Sequence, residues 1–291
     1  MAETNLIKKA DLARVREAEF VSMFADNVVK LQEMLGISRM IPKSAGTVLK
    51  AYKAVGTLED GSVPEGDDIP LSKYEVEPVP YDEITWRKWR KATSAEAIAE
   101  RGYDQAVTMT TDRMLKDVQK VIRKDFIDFL ATGTSTASGT GLQAALAQTW
   151  GKLQVLFEDD DVQSVHIINP LDVADYLATA QITVQNAFGM TYVEDFLGLG
   201  TVILTSLVPK GTIYSTAKEN IVVYFVPVNG ADLGMAFNFT SDATGLIGIH
   251  EEADYKNMTA FDTVMNSMVL FADRIDGVVV TTIEAGNSVN P

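Results

Sequence analysis

The chain contains no cysteine among its 291 residues, and His166 and His250 are its only histidines. These absences exclude disulfides, thiolate nucleophiles, zinc sites built on sulfur and metal centres made of several imidazoles. No apolar run approaches the roughly 18 residues of a membrane-spanning helix, and the opening MAETNLIKKADL lacks the hydrophobic section of a secretory signal. The expectation is a protein that stays in the cytoplasm where it is made. Positive charge is also scarce. Against 40 Asp and Glu there are 25 Lys and Arg, a formal net charge of -15. Such a surface repels phosphate backbones unless cations gather locally, so sequence-specific nucleic-acid binding is not expected.

What is present suits an ordered, soluble protein. With 46% hydrophobic residues and mean hydropathy near zero, the chain has enough apolar material for one large or two modest domains. Its organising stretch is Ser94 to Gly133, which reads as one long helix. Val107, Thr111, Met114, Val118, Ile122 and Phe126 recur at three- and four-residue steps, widened by Leu115, Val121 and Leu130, with Arg113, Lys116, Asp117, Lys120 and Lys124 on the other face. Thr93 or Ser94 caps the start, Gly133 stops the end, and Gly102 is the weak point, suited to a kink or an early fray. At about 1.5 Å per residue the helix would run roughly 55 to 60 Å.

Upstream, Leu12, Val15, Ala18, Phe20, Phe24, Val28, Leu31 and Leu35 keep helical spacing, with Gly36 suited to a C-cap. Two readings stand: a helix packed on its own domain, or an arm docked on a neighbouring subunit. From Ile41 to Lys91 the pattern alternates. Thr47 to Val55 and Ile69 to Val79 read as two strands joined by the acidic, Gly- and Pro-rich tip GTLEDGSVPEGDDIP. A lone hairpin is marginal in water, so so long an excursion implies a partner surface. Its return, ITWRKWRKATS, interleaves Trp86 and Trp89 with Arg87, Lys88, Arg90 and Lys91. That cluster suits either nucleic-acid stacking or tryptophans anchoring the hairpin base, with the cations pairing to acidic tips of adjacent chains.

Downstream, TGTSTASGTG reads as a flexible linker at a domain boundary, followed by a helix over Leu142 to Phe157 with a stripe of Ala145, Leu146, Trp150, Leu153 and Phe157. Val162 to Ile168 reads as a strand ending in Asn169-Pro170, Leu171 to Thr179 as helix, and Gly200 to Leu207, Thr212 to Ser215 and Ile221 to Val226 as strands. Phe237 to Thr240, Leu246 to Ala253 and Phe261 to Ala272 follow, with Arg274 to Ile283 as a closing strand. Mixed helices and strands give an α+β class.

No chemical constellation is complete. Ser215-Thr216-Ala217-Lys218 matches Ser-x-x-Lys, but without Ser-Asp-Asn and Lys-Thr-Gly partners it is a turn between strands. TGTSTASGTG lacks the Gly-Lys-Ser/Thr ending of a phosphate loop. Glu158, Asp159, Asp160 and Asp161 are adjacent rather than spaced as a calcium loop, and read as a solvated helix end. His250-Glu251-Glu252 lacks the second histidine of a zincin, and His166 reads as a satisfied core residue. The expectation is no catalytic, cofactor-binding or metal-binding residue and no enzyme activity.

The order of these parts resembles a known family. Phe129-Leu130-Ala131-Thr132-Gly133 at the end of the long helix, Ile168-Asn169-Pro170, and Gly200-Thr201-Val202-Ile203-Leu204-Thr205 followed by Val208-Pro209-Lys210-Gly211 are its most telling pieces. Together with a late strand after an amphipathic helix, they make residues 1 to 285 resemble a tailed-bacteriophage major capsid protein of the Hong Kong 97 (HK97) fold. The resemblance implies an N-terminal arm (1–42), an extended E-loop (43–93), a peripheral-domain spine helix (94–135), an axial domain (136–239) and peripheral return strands, helix and tail (240–291). It further implies hexamers and pentamers closing into an icosahedral virion shell around double-stranded DNA, assembled in the host cytoplasm with a separate or removed scaffold, a portal and decoration proteins. Some relatives cross-link an E-loop lysine to a distant asparagine; Lys53, Lys73 and Asn287 are available, but no local pattern marks them. An encapsulin-type compartment is the rival within the fold, and a soluble oligomeric binding protein or enzyme the rival outside it.

Overall fold

The computed structural model describes residues 9–35, 39–57, 62, 71–157, 162–179, 185–230, 233 and 236–284. The proposed C-cap Gly36, most of the hairpin tip, the acids of 158–161 and Asn287 lie outside them. Among the described residues no helix is long and apolar enough to cross a membrane.

The N-terminal segment is a single helix, α1 (Lys9–Leu35). Phe20, Phe24, Val28, Leu31 and Leu35 are buried with Leu115, Val118, Ile122 and Phe126 in one core, so α1 packs on its own subunit. Phe24 meets Phe188 edge to face at 6.0 Å. The side chains of Leu12 and Val15 are outside the described residues, and Ala18 is exposed.

The long helix departs from the expected single rod. Residues 95–101 form α2 (Ala95–Arg101), capped by the Ser94 hydroxyl, which accepts from the Ala97 amide. The helix then breaks at Gly102, whose φ of 82° an L side chain rarely adopts. A π-helical turn (Asp104–Thr108) leads into α3 (Met109–Leu130). The wide turn has a local cause: the Val107 carbonyl accepts from Lys91 Nζ at 3.0 Å and from the Thr110 and Thr111 hydroxyls at 2.9 and 2.8 Å. Those donors compete with the ordinary backbone pairing that would continue an α-helix through it. The buried stripe of α3 is Thr111, Leu115, Val118, Ile122 and Phe126 with Gln119, Ile127 and Leu130; Val121 faces outward.

Among the described residues sixteen strands form four sheets. A seven-stranded mixed sheet contains, in spatial order, β5 (Ser135–Thr140), β16 (Val278–Glu284), β10 (Thr212–Ala217), β6 (Ser164–Ile168), β9 (Thr201–Leu204), β8 (Met190–Val193) and β7 (Gln185–Ala187). Its two faces bury different partners. Val165, Ile167, Ile203 and Tyr214 join the core under α1 and α3, while Ile168, Val202, Leu204 and Ile213 pack on Leu142, Ala145 and Leu146 of α4 (Leu142–Leu156) and on Val173 of α5 (Pro170–Thr179). Burial on both faces explains why β6, SVHII, lacks alternation.

The segment TGTSTASGTG (132–141) is therefore no free linker: its residues 135–140 pair in parallel with β16 along their whole length. Gly139 permits this, because a Cβ there would stand 2.5 Å from the Ala145 backbone nitrogen. In α4, Trp150 departs from the expected stripe and is 39% exposed, its place taken by Thr149, whose hydroxyl reaches that of Thr281 at 2.6 Å.

A second sheet orders β12 (Thr240–Ser241), β13 (Ile247–Asp254), β14 (Thr259–Asn266) and β4 (Arg87–Ser94), and a third orders β1 (Met40–Pro42), β11 (Ile221–Phe225) and β15 (Val269–Ala272). The amphipathic helix expected before the closing strand is instead β14 and β15, split at Ser267 and Met268. Asp262, Val264 and Asn266 lie on one buried face of β14, and Met265 between them is buried on the other. The fourth sheet is the hairpin of β2 (Val48–Thr57) and β3 (Lys73–Glu83).

Candidate assembly surfaces

Among the described residues the two strands of the hairpin pair with each other and with no other strand. Its base is fixed: Leu49 and Ile84 are buried with Val226, Phe271 and Ile275, Trp86 packs against them, and the Ile84 amide donates to the Thr47 carbonyl at 2.9 Å. Beyond the base, residues 71–77 are exposed. Leu71, Tyr74 and Val76 are 93%, 63% and 64% exposed, and Tyr74 and Val76 share one face of β3. Tyr74 lies over Gly56, which has no Cβ to obstruct the ring. Lys73 pairs with Glu75 on the other side. Pro78 and Pro80 deny β3 two backbone donors, which discourages indiscriminate strand addition at this edge.

The basic-aromatic strand β4 is occupied internally. Trp89 packs against the main core. Arg87 pairs with Asp125, and Arg90 pairs with Glu252 at 2.9 Å while lying 3.7 Å from the Phe261 ring centroid. Lys91 reaches Asp262 at 2.7 Å and the Thr110 and Thr111 hydroxyls at 2.7 Å. Three of the cations expected to meet acids of adjacent chains thus meet acids of their own chain, which leaves little free charge for a phosphate backbone. A cleft of about 660 Å³ opens beside this strand, lined by Trp86, Lys88, Phe237, Phe239, His250 and Met265.

Where α1 crosses the edge of the second sheet, charged groups converge that the sequence does not mark. Arg16 Nε donates to Glu251 Oε1 at 2.7 Å, and Arg16 lies 3.5 Å from Asp262. Glu17 is buried and accepts from the Glu251 amide at 2.6 Å and from the Thr240 hydroxyl. Its carboxylate therefore caps a backbone donor beyond the end of the short β12–β13 ladder. Arg16 also donates to the Tyr103 hydroxyl at 2.6 Å, tying α1 to the break before α3.

Ser215 is buried and paired to His166 Nδ1 at 2.8 Å; His166 Nε2 lies 3.2 Å from the Leu199 carbonyl. A carbonyl only accepts, so Nε2 carries the proton and Nδ1 accepts from Ser215. Burial pushes the His166 pKa down to about 4. Lys218 belongs to the short 3₁₀ turn after β10, and the Ser-x-x-Lys pattern is sheet followed by turn. His250 lies beside Glu17 at 3.7 Å. Among the described residues no group of three or more His, Asp or Glu is placed to hold a metal ion.

Comparison of the whole chain with solved structures decides the architecture. A virus-like particle from Pyrococcus furiosus superposes with a TM-score of 0.51 at 14% identity, covering 90% of this chain and 98% of that one. The holo-SrpI encapsulin complex from Synechococcus elongatus gives 0.54 at 11% identity, covering 89% and 90%. The capsid of a native GTA particle gives 0.54 at 9% identity, covering 88% and 90%. The chain has the HK97-like capsid fold. No family model and no curated protein matches its sequence. Within the HK97-like fold, the hairpin with its exposed Leu71, Tyr74 and Val76 is one surface, among the described residues, whose exposure this chain alone does not explain.

Proposed function

We propose that the chain is a structural shell protein, the major capsid protein of a tailed bacteriophage, whose copies form hexamers and pentamers of an icosahedral shell around packaged double-stranded DNA. The observation that carries the reading is the hairpin: a two-stranded excursion is marginal alone, and Leu71, Tyr74 and Val76 stay largely exposed among the described residues, where a neighbouring subunit would cover them. A closed shell gives every subunit such a neighbour, and extended loops add contact area beyond the globular body. In this reading residues 43–93 are the E-loop, 94–135 the spine, 136–239 the axial domain, 240–291 the peripheral return, and 1–42 an N-terminal arm attached along α1. A wall with a formal charge of -15 does not cling to DNA as it is pumped in. The subunit performs no chemistry, is assembled in the host cytoplasm with scaffolding and portal proteins, and offers its outer face to decoration proteins.

The superposition with an encapsulin complex favours a second reading, a protein compartment that holds cargo proteins in place of a genome. Negative-stain electron microscopy of the purified chain, expressed with and without neighbouring phage genes, tests both. Closed shells or capsomer rings tens of nanometres across are expected, with DNA inside particles from the phage setting. Protein cargo would select the compartment, and monomers or dimers under every condition would overturn the shell reading.

A further inference from the structure

Asn229-Gly230 is the one place in the sequence where glycine follows asparagine. The pair lies shortly after β11, where the chain runs beside the turn that joins β12 to β13. Val228, buried, donates its amide to the Gly245 carbonyl at 2.8 Å. Asn229 is exposed and lays its side chain along the same turn. Its Nδ2 donates to the Ala243 carbonyl across a long 3.3 Å, and its Oδ1 sits so close to Gly245 that a Cβ there would stand 2.5 Å away. Among the described residues the Gly230 amide has no acceptor. An amide nitrogen free of any partner, directly after an exposed asparagine, is a nucleophile within reach of the side-chain carbon. Two other asparagines are held away from such attack. Asn266, before Ser267, is fully buried, donates to the Leu246 carbonyl at 2.8 Å and accepts from the Met268 amide at 3.0 Å. Asn220 is buried, and its Nδ2 donates to the Thr216 hydroxyl and the Arg274 carbonyl, both at 2.9 Å.

We propose that Asn229 loses its side-chain amide to attack by the Gly230 nitrogen, and that the product loosens the turn leading into β13. The Gly230 nitrogen gives its proton to solvent base and bonds to Asn229 Cγ. The Cγ–Nδ2 bond breaks, the nitrogen leaves as ammonia with a proton from solvent, and a succinimide ring closes. Water then adds to either ring carbonyl and opens it, leaving aspartate or isoaspartate at 229. The net change is amide plus water to carboxylate plus ammonium, with nothing oxidised or reduced. A carboxylate cannot donate to the Ala243 carbonyl, so that bond is lost. The new negative charge also falls against a turn that is already held by a carboxylate, Asp242, through the Thr244 and Leu246 amides at 3.0 and 2.8 Å. Isoaspartate further adds a methylene to the main chain beside the Val228 to Gly245 bond. The reaction belongs to the single chain and does not depend on the shell reading.

Peptide mapping by mass spectrometry tests it on the full-length protein, held in mildly alkaline buffer either folded or unfolded in urea. Folded protein should convert Asn229 within roughly tenfold of the unfolded rate, a barrier difference below about 1.4 kcal/mol, while Asn266 reacts only after unfolding. Conversion should be slower in mild acid, where the attacking amide keeps its proton. Gly230→Ala fits the fold, because the new methyl meets nothing closer than the Pro227 carbonyl at 3.7 Å. It crowds the attacking nitrogen and should slow conversion by roughly tenfold or more. After conversion the amides of 244–247 should exchange several-fold faster than in fresh protein, the effect of one lost hydrogen bond, and Asn229→Asp should reproduce the aspartate part of that change. An Asn229 that keeps its amide in the folded chain while the unfolded chain converts overturns the proposal. So does an unchanged rate in Gly230→Ala, or equal exchange of those amides before and after conversion.

Discussion

Lys91 gives the most demanding test of how this fold is held. Its ammonium binds Asp262 at 2.7 Å, the Val107 carbonyl at 3.0 Å and the hydroxyls of Thr110 and Thr111, so one cation closes the π-turn and neutralises a carboxylate whose side chain is 3% exposed. Lys91→Met keeps most of the aliphatic stem and deletes the charge. Breaking one side of a buried pair costs about 3 to 5 kcal/mol. Here Arg16 still stands 3.5 Å from Asp262, and the Thr111 hydroxyl, 2.8 Å away, can turn from the Val107 carbonyl to donate to it, so about 2 to 3 kcal/mol is the expected loss. Urea unfolding of the isolated subunit measures it, and hydrogen exchange should show residues 103–111 opening first. Combining Lys91→Met with Asp262→Asn should recover about 1 to 2 kcal/mol relative to additivity, since the orphaned charge is then gone. A single-mutant loss below about 0.5 kcal/mol, the range of an ordinary surface substitution, would refute the view that Lys91 is the keystone of the break.

Phe24→Ala removes a fully buried ring from between α1 and Phe188 and should cost about 3 to 5 kcal/mol in denaturant unfolding. Gly139→Ala should weaken the subunit by more than 1 kcal/mol on an order-of-magnitude scale, because the new methyl meets α4 backbone that cannot step aside; a neutral result by thermal unfolding would show that β5 and α4 have slack. Tyr74→Asp should change subunit stability by less than about 0.5 kcal/mol yet reduce particle yield in electron microscopy, and deletion of residues 58–68 should likewise leave a folded subunit that assembles poorly. Normal, stable particles from both would remove the hairpin from the assembly surface. His166 is neutral in the fold and holds its proton less tightly there than when unfolded, so its contribution is present above about pH 6.5 and is lost as pH falls toward about 4. Substitution with Gln should flatten stability over that interval, where the wild type loses about 3 kcal/mol; identical pH slopes would show that His166 is not the source.

Much of the architecture is legible along the chain because local rules agree there. The apolar spacing of α1, the Ser94 cap, the Asn169-Pro170 entry to α5 and the turn-bounded strands β9, β10 and β11 are all set by neighbours in sequence. The misread segments share a different property. TGTSTASGTG has the composition of a linker and becomes a strand because β16, more than 130 residues away, offers it a free edge. Phe261 to Ala272 carries apolar residues at spacings that suit a helix or two strands, and its pairing with β4, β13 and β11 decides between them. Trp150 fits the helical stripe of α4, but the small polar pair Thr149–Thr281 takes the buried position.

The sequence by itself determined the broad class: a mixture of helices and strands, an acidic balance of charge, no cysteine chemistry, and a hairpin too long to stand alone. These follow from composition and short-range periodicity, which need no knowledge of distant partners. Only the tertiary structure decided where charges go. Arg87, Arg90 and Lys91 look like a basic patch in a row, and the fold closes Asp125, Glu252 and Asp262 around them. Arg16 and Glu17 look like two ordinary helix residues, and the fold places them on Glu251, more than 230 positions away. Whether a charged side chain is solvated, paired or stranded depends on which surfaces meet it, and that is set by the packing of remote segments rather than by any pattern along the chain.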